Sequence, residues 1–133
     1  LEPLSGYLTL SSALSERPEL HGEPFNFGPP AKQAHSVLEL VQQMSNHWDQ
    51  VRWDVVSGHD GDPYESGLLK LNCDKALHHL KWHAVLNFEE TVEMTTEWYQ
   101  YYYKDPRSIR ERTVAQIQEY TSFAVDRGIV CAQ

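Results

Sequence analysis

Asn87-Phe88-Glu89-Glu90, running on through Thr91-Val92 to Tyr101-Tyr102-Tyr103-Lys104, is the stretch on which the reading of this chain turns. An asparagine side chain can accept from the backbone N–H three residues on, and the glutamate there can reach back to the asparagine N–H. That reciprocal pattern is a capping-box variant, and it opens a long helix predicted to run to about Tyr103. Phe88, Val92, Thr95 and Tyr99 recur at helical spacing and form its expected buried face. Asp105-Pro106 breaks it. Trp98, Tyr99, Tyr101, Tyr102 and Tyr103 cannot all face one core from a single helix. Some must be exposed, pack on another chain, or cover neighbouring short strands. Beyond the break, Thr113-Val114-Ala115-Gln116 reads as a second capping box, with Ile117, Tyr120 and Ala124 following on one face. Residues from about 125 to 133 read as a frayed tail.

Toward the amino terminus, helices alternate with short extended runs. A helix is expected over about 73–80, with Asn72 as its cap. Leu68-Leu69-Lys70-Leu71 reads as a short strand. Residues 57–67, rich in glycine, proline and polar side chains, read as a loop. Val51-Arg52-Trp53-Asp54-Val55 alternates as a strand does, with Arg52 on its exposed side. Val37, Val41, Met44 and Trp48 give one apolar stripe for a helix from about Ser36 to Trp48. Phe25-Asn26-Phe27-Gly28 reads as an aromatic strand stopped by Gly28-Pro29-Pro30, after a polar connection over 17–24. Residues 3–14 form a first helix with Pro3 in its opening turn. The expected class is helix-rich α/β (α+β), helices packed with short strands, in one domain over 1–133.

Composition narrows the function classes. The chain has 133 residues, is 41% hydrophobic and carries a formal net charge of -8. That hydrophobic content fits a globular domain. The negative charge argues against a nucleic-acid partner, because tracking phosphates requires a basic face. No apolar run approaches the roughly 20 residues needed to span a bilayer. Cys73 and Cys131 make no disulfide framework, which fits a cytoplasmic protein. His79 and His83 lie four residues apart, but no cysteine or carboxylate nearby completes a metal set. No glycine-rich strand–turn–helix motif able to cradle a dinucleotide is present, and no Tyr-x-x-x-Lys pair.

Several segments, taken in order, carry a resemblance. They are Leu1-Glu2-Pro3-Leu4-Ser5-Gly6-Tyr7-Leu8, Gly22-Glu23-Pro24-Phe25-Asn26-Phe27-Gly28, Pro63-Tyr64-Glu65, Leu69-Lys70-Leu71-Asn72-Cys73-Asp74-Lys75-Ala76, Thr96-Glu97-Trp98-Tyr99 and Thr113-Val114-Ala115-Gln116-Ile117. At this spacing they resemble the carboxyl-terminal part of CDP-glucose 4,6-dehydratases, in the extended short-chain dehydrogenase family. The resemblance implies a small substrate-binding lobe without a Rossmann domain. In the family, NAD and the catalytic tyrosine and lysine belong to a preceding domain. No catalytic, cofactor-binding or metal residue is therefore assigned to this chain. A start inside a family motif gives the expectation of a truncated or partial chain.

What the resemblance implies about binding is specific. Asn26 stands at the family's Tyr/Phe-Asn-x-Gly motif, near the nucleotide-diphosphate end of the substrate. An amide can donate to a phosphate oxygen while its carbonyl accepts elsewhere. On pattern alone, the same amide can simply tie a strand end to a loop. Pro63-Tyr64-Glu65-Ser66 matches a Pro-His-Glu-Ala segment that closes over the nucleotide, so Tyr64 and Glu65 join Asn26 as substrate-binding candidates. Tyr64 stands where the family has histidine and cannot titrate near neutrality. Lys81 stands where the family has glycine after a helix, and would have to take a left-handed conformation there. The expected partners are a CDP-sugar, the missing Rossmann domain or another chain, and further copies of itself in a homo-oligomer. An alternative is a stand-alone module that has lost the enzyme's role and self-associates or binds a partner.

Overall fold

The structure, a computed structural model, describes residues 1–30, 32–54 and 70–129. Five α-helices organise them: α1 (Glu2–Glu16), α2 (Val37–His47), α3 (Asp74–Leu80), α4 (Phe88–Lys104) and α5 (Ile109–Asp126), with a 3₁₀ turn at Pro18–Leu20. The helix packing pairs α2 with α4, α4 with α5, and α1 with α3.

No strand forms among the described residues, so the α/β expectation gives way to an all-helical architecture. The apolar runs at 25–28 and 51–55 have the composition of strands, but a ladder also needs a neighbour to pair with. Phe25–Gly28 is held by its rings instead. Phe27 meets Tyr7 edge-on at 5.6 Å and Trp82 edge-on at 4.9 Å. The Asn26 side-chain amide donates to the Asn72 carbonyl at 3.2 Å, a side-chain tie where a ladder bond was expected. At Val51–Asp54 the Arg52 guanidinium folds back onto the carbonyls of Asp49 and Val51. Of the third expected strand, Lys70 and Leu71 lie in irregular backbone, while Leu68 and Leu69, like Val55, fall outside the described residues.

The helix starts follow local chemistry. Ser36 accepts from the Glu39 N–H and Glu39 returns to the Ser36 N–H at 2.6 Å, a complete capping box for α2. Asn87 and Glu90 do the same for α4, at 2.8 and 2.9 Å. Helix α3 begins one residue later than expected, with Cys73 at the cap position, although Asn72 Oδ1 still takes the Asp74 N–H at 2.8 Å. The second capping box is not a helix start. α5 begins at Ile109, and Thr113 lies inside it, donating to the Ile109 carbonyl and accepting from Trp98 Nε1. α3 ends on Lys81 at φ 56, the left-handed conformation foreseen there.

Two apolar clusters form the core. One gathers Val85, Leu86, Met94, Tyr120, Ala124 and Ile129 between α4 and α5. The other joins Phe27, Ala76 and Trp82 under α1. Gly6 is what lets α1 close on the second. A methyl group at that position would sit 2.3 Å from Phe27 Cδ1, so only a bare backbone fits beneath the ring. The α4 face differs from expectation. Val92, Met94 and Thr96 are buried, whereas Thr95 and Tyr99 are exposed, because α2 and α5 flank this helix on two sides.

Candidate functional site

A polar joint fixes the segment Trp82–Leu86, which forms one wall of the site. The Glu2 carboxylate accepts the Val85 N–H at 3.0 Å and the Leu86 N–H at 2.6 Å. The Tyr120 hydroxyl donates to it at 2.9 Å. Ser5 Oγ takes the Trp82 indole N–H at 2.9 Å and lies 3.0 Å from the Tyr120 hydroxyl. One glutamate thus satisfies two backbone donors that no helix or strand employs. Its charge makes those hydrogen bonds stronger than neutral ones.

Two adjoining clefts open beside this wall and share Gly28, Pro29, Lys70, Leu71 and Ala84. The first, about 540 Å³, is walled by Phe27, Leu71, Leu86 and Phe88, with Glu2, His35 and Lys70 among its polar groups. The second, about 440 Å³, lies over Asn72, Cys73, Asp74 and His83. Leu71 lines both and lies against Gly28, where an added methyl would come within 3.3 Å of its Cδ1. Apolar walls carrying a few polar groups are the usual make-up of a small-ligand site. His35 stacks on Phe88 with centroids 3.7 Å apart, tying the start of α2 to the start of α4 at the mouth of the first cleft.

Asn26 sits exposed at the edge of this arrangement, one residue from Phe27 and bonded to Asn72 of the second cleft. Its amide nitrogen has a second hydrogen to give. Nearby, Lys75 pairs with Glu23 at 2.5 Å and lies 5.0 Å above the Phe25 ring. The hydrogen bond from Lys75 is the main reason the Glu23 carboxyl is held below its ordinary range. Tyr64 and Glu65 lie outside the described residues, in the segment that leads to Lys70. Of the three candidates, then, only Asn26 is placed. The Glu2 joint and the Leu71–Gly28 contact carry no local sequence signal, since the partners lie tens of residues apart.

The resemblance implies NAD for the complete enzyme. A pyrophosphate is usually held at a helix N-terminus by free N–H groups. The starts of α2 and α4 are already closed by the carboxylates of Glu39 and Glu90, whose charge would repel it. No described group of three or more His, Cys, Asp or Glu side chains could hold a metal ion, and no described helix is long and apolar enough to cross a membrane.

No family model matches the chain. A comparison with characterised proteins finds a CDP-glucose 4,6-dehydratase of Salmonella typhimurium, 35% identical over 100 residues. That stretch is 74% of this chain and 27% of the relative, so the chain spans about a quarter of the enzyme it resembles. Over that stretch the chain is similar to this CDP-glucose 4,6-dehydratase.

Proposed function

We propose that this chain is a nucleotide-sugar-binding unit of the CDP-glucose 4,6-dehydratase kind, catalytically incomplete by itself. The observation that carries the reading is the 35% identity together with a ligand-sized double cleft lined in part by Glu2, Pro3, Phe27, Gly28 and residues 70–74 of the segments that bear the resemblance. Asn26, Tyr64 and Glu65 are the substrate contacts of this reading. Asn26 offers an amide hydrogen to a diphosphate oxygen. Tyr64 stacks or donates once, and Glu65 accepts from ribose hydroxyls or a cytosine amino group.

The chain's contribution to the reaction is shape, orientation and exclusion of water. NAD and the groups that move hydride and protons belong to a separate domain or chain. With a reduced thiol at Cys73, the setting of this reading is the cytoplasm.

The test is a titration of the isotope-labelled chain with CDP-glucose, CDP and UDP, followed by amide NMR. The expected result is CDP-dependent shifts at Gly28, Lys70 and Asn72, weakened about tenfold in Asn26→Ala, the loss of one charge-assisted hydrogen bond. No shift with any nucleotide at millimolar concentration refutes the reading.

A second reading, a partner-binding module without enzyme activity, has one observation in its favour. Leu4 and Leu8 on α1 are 58% and 67% exposed, an apolar stripe of the kind another domain covers. Capture of a dinucleotide-binding chain that is lost in Leu4→Ser/Leu8→Ser, with no nucleotide binding, would favour it.

A further inference from the structure

The aromatic end of α4 is used by neither reading. Residues 47–54 and 97–112 contain three of the four tryptophans and four of the seven tyrosines of the chain. Five of these rings, those of Trp48, Trp98, Tyr99, Tyr102 and Tyr103, form a continuous series. Trp98 meets Tyr99 edge-on at 5.3 Å and lies parallel to Tyr102 at 5.6 Å. Tyr102 meets Tyr103 at 5.6 Å, and Tyr103 meets Trp48, beyond the end of α2, at 5.6 Å. The Arg112 guanidinium covers one face of Tyr101 from 5.1 Å. Yet Tyr99, Tyr101, Tyr102 and Tyr103 remain open to solvent, Tyr103 at 69%. Large, stiff, amphipathic rings of this kind lose little entropy on docking and dominate interface energetics.

Charge says what docks there. The two segments hold five basic and five acidic side chains, so the whole excess of -8 lies elsewhere on the chain. Within them, Arg52, Lys104, Arg107 and Arg110 are exposed, and so are Asp49, Asp54, Asp105 and Glu111. This face combines aromatic area with zero net charge and equal numbers of both signs. A surface with both signs in equal number can oppose itself across a two-fold axis, each sign meeting the other.

We propose that this face is an isologous interface between two copies of the chain, centred on Tyr101–Tyr103 and rimmed by the mixed charges. It leaves the clefts and the α1 leucine stripe free, so it does not depend on what occupies either.

Sedimentation velocity of the full chain, from micromolar to millimolar concentration, tests it. The expected result is a monomer–dimer equilibrium whose dissociation constant rises at least about tenfold in Tyr101→Ser/Tyr103→Ser. The same constant should stay unchanged in Leu4→Ser/Leu8→Ser. A monomer at every concentration overturns the proposal, as does a dimer abolished by the leucine changes and not by the tyrosine changes. Hydrogen exchange on the unaltered chain is the check that needs no variant. Protection across 99–110 must rise with concentration, and a dimer without that rise overturns the proposal.

Discussion

Helices α1 and α2 both present an apolar stripe, but they hold the molecule in different ways. α1 is tied through its first turns. Gly6 admits the Phe27 ring, and Glu2 and Ser5 gather donors from Trp82, Val85, Leu86 and Tyr120. α2 has no buried residue at all, and Val37, the first member of its stripe, is 78% exposed. Its hold is the His35–Phe88 stack at one end and, at the other, the Trp48–Tyr103 ring contact and the Gln100 amide donating to the His47 carbonyl at 2.5 Å. A stripe in sequence thus marks a face that can be covered. Whether it is covered depends on whether the chain brings back something that fits.

The contrast can be broken at its strongest point first. Gly6→Ala gains helix propensity but forces a methyl into a core ring, and should cost about 3 kcal/mol in denaturant unfolding. A neutral result would show that Phe27 is free to move and that α1 is no more fixed than α2. Glu2→Ala leaves two backbone N–H groups and a tyrosine hydroxyl without their acceptor, and should cost about 2 kcal/mol. A double-mutant cycle with Tyr120→Phe should then show coupling of about 1 kcal/mol.

The caps sharpen the comparison. Asn87→Ala should cost about 1 kcal/mol of global stability, since α4 carries core residues. Ser36→Ala should lower hydrogen-exchange protection in α2 and leave the global midpoint nearly unchanged, because α2 can open locally. Glu90 adds a pH dependence. Its hydrogen bond from Arg127 holds the Glu90 carboxyl below the ordinary 4.5, so near that pH the unfolded chain binds more protons than the folded one. Its stabilisation is therefore complete above pH 4.5 and is lost as pH falls through the depressed folded value. Glu90→Gln should flatten that part of a plot of thermal midpoint against pH. The smallest effect has the opposite sign. Lys81→Gly should stabilise by about 0.5–1 kcal/mol, by removing a side chain from a left-handed helix end.

What was legible in the sequence follows from distance along the chain. The Asn87–Glu90 box lies within a few residues and could be read from the string, whereas the left-handed end at Lys81 was one of two outcomes implied by the family's glycine there. The strands could not be decided there. Phe25–Gly28 and Val51–Val55 have suitable composition, but pairing requires a neighbour that composition does not announce. The Thr113–Gln116 pattern misled for a related reason. The same four residues fit a helix interior once Ser108 and the turn at Asp105 start α5 earlier. Of the site, Asn26 was found through its motif, while the Glu2 joint was missed because its partners lie 83 to 118 residues away.

That last separation has a consequence for how the chain is made. Tyr120 leaves the ribosome 118 residues after Glu2. At about 5–20 residues per second the carboxylate waits roughly 6–24 s for the hydroxyl that completes its shell. For that interval α1 has emerged with its carboxylate short of one donor, which α5 supplies last among the described helices.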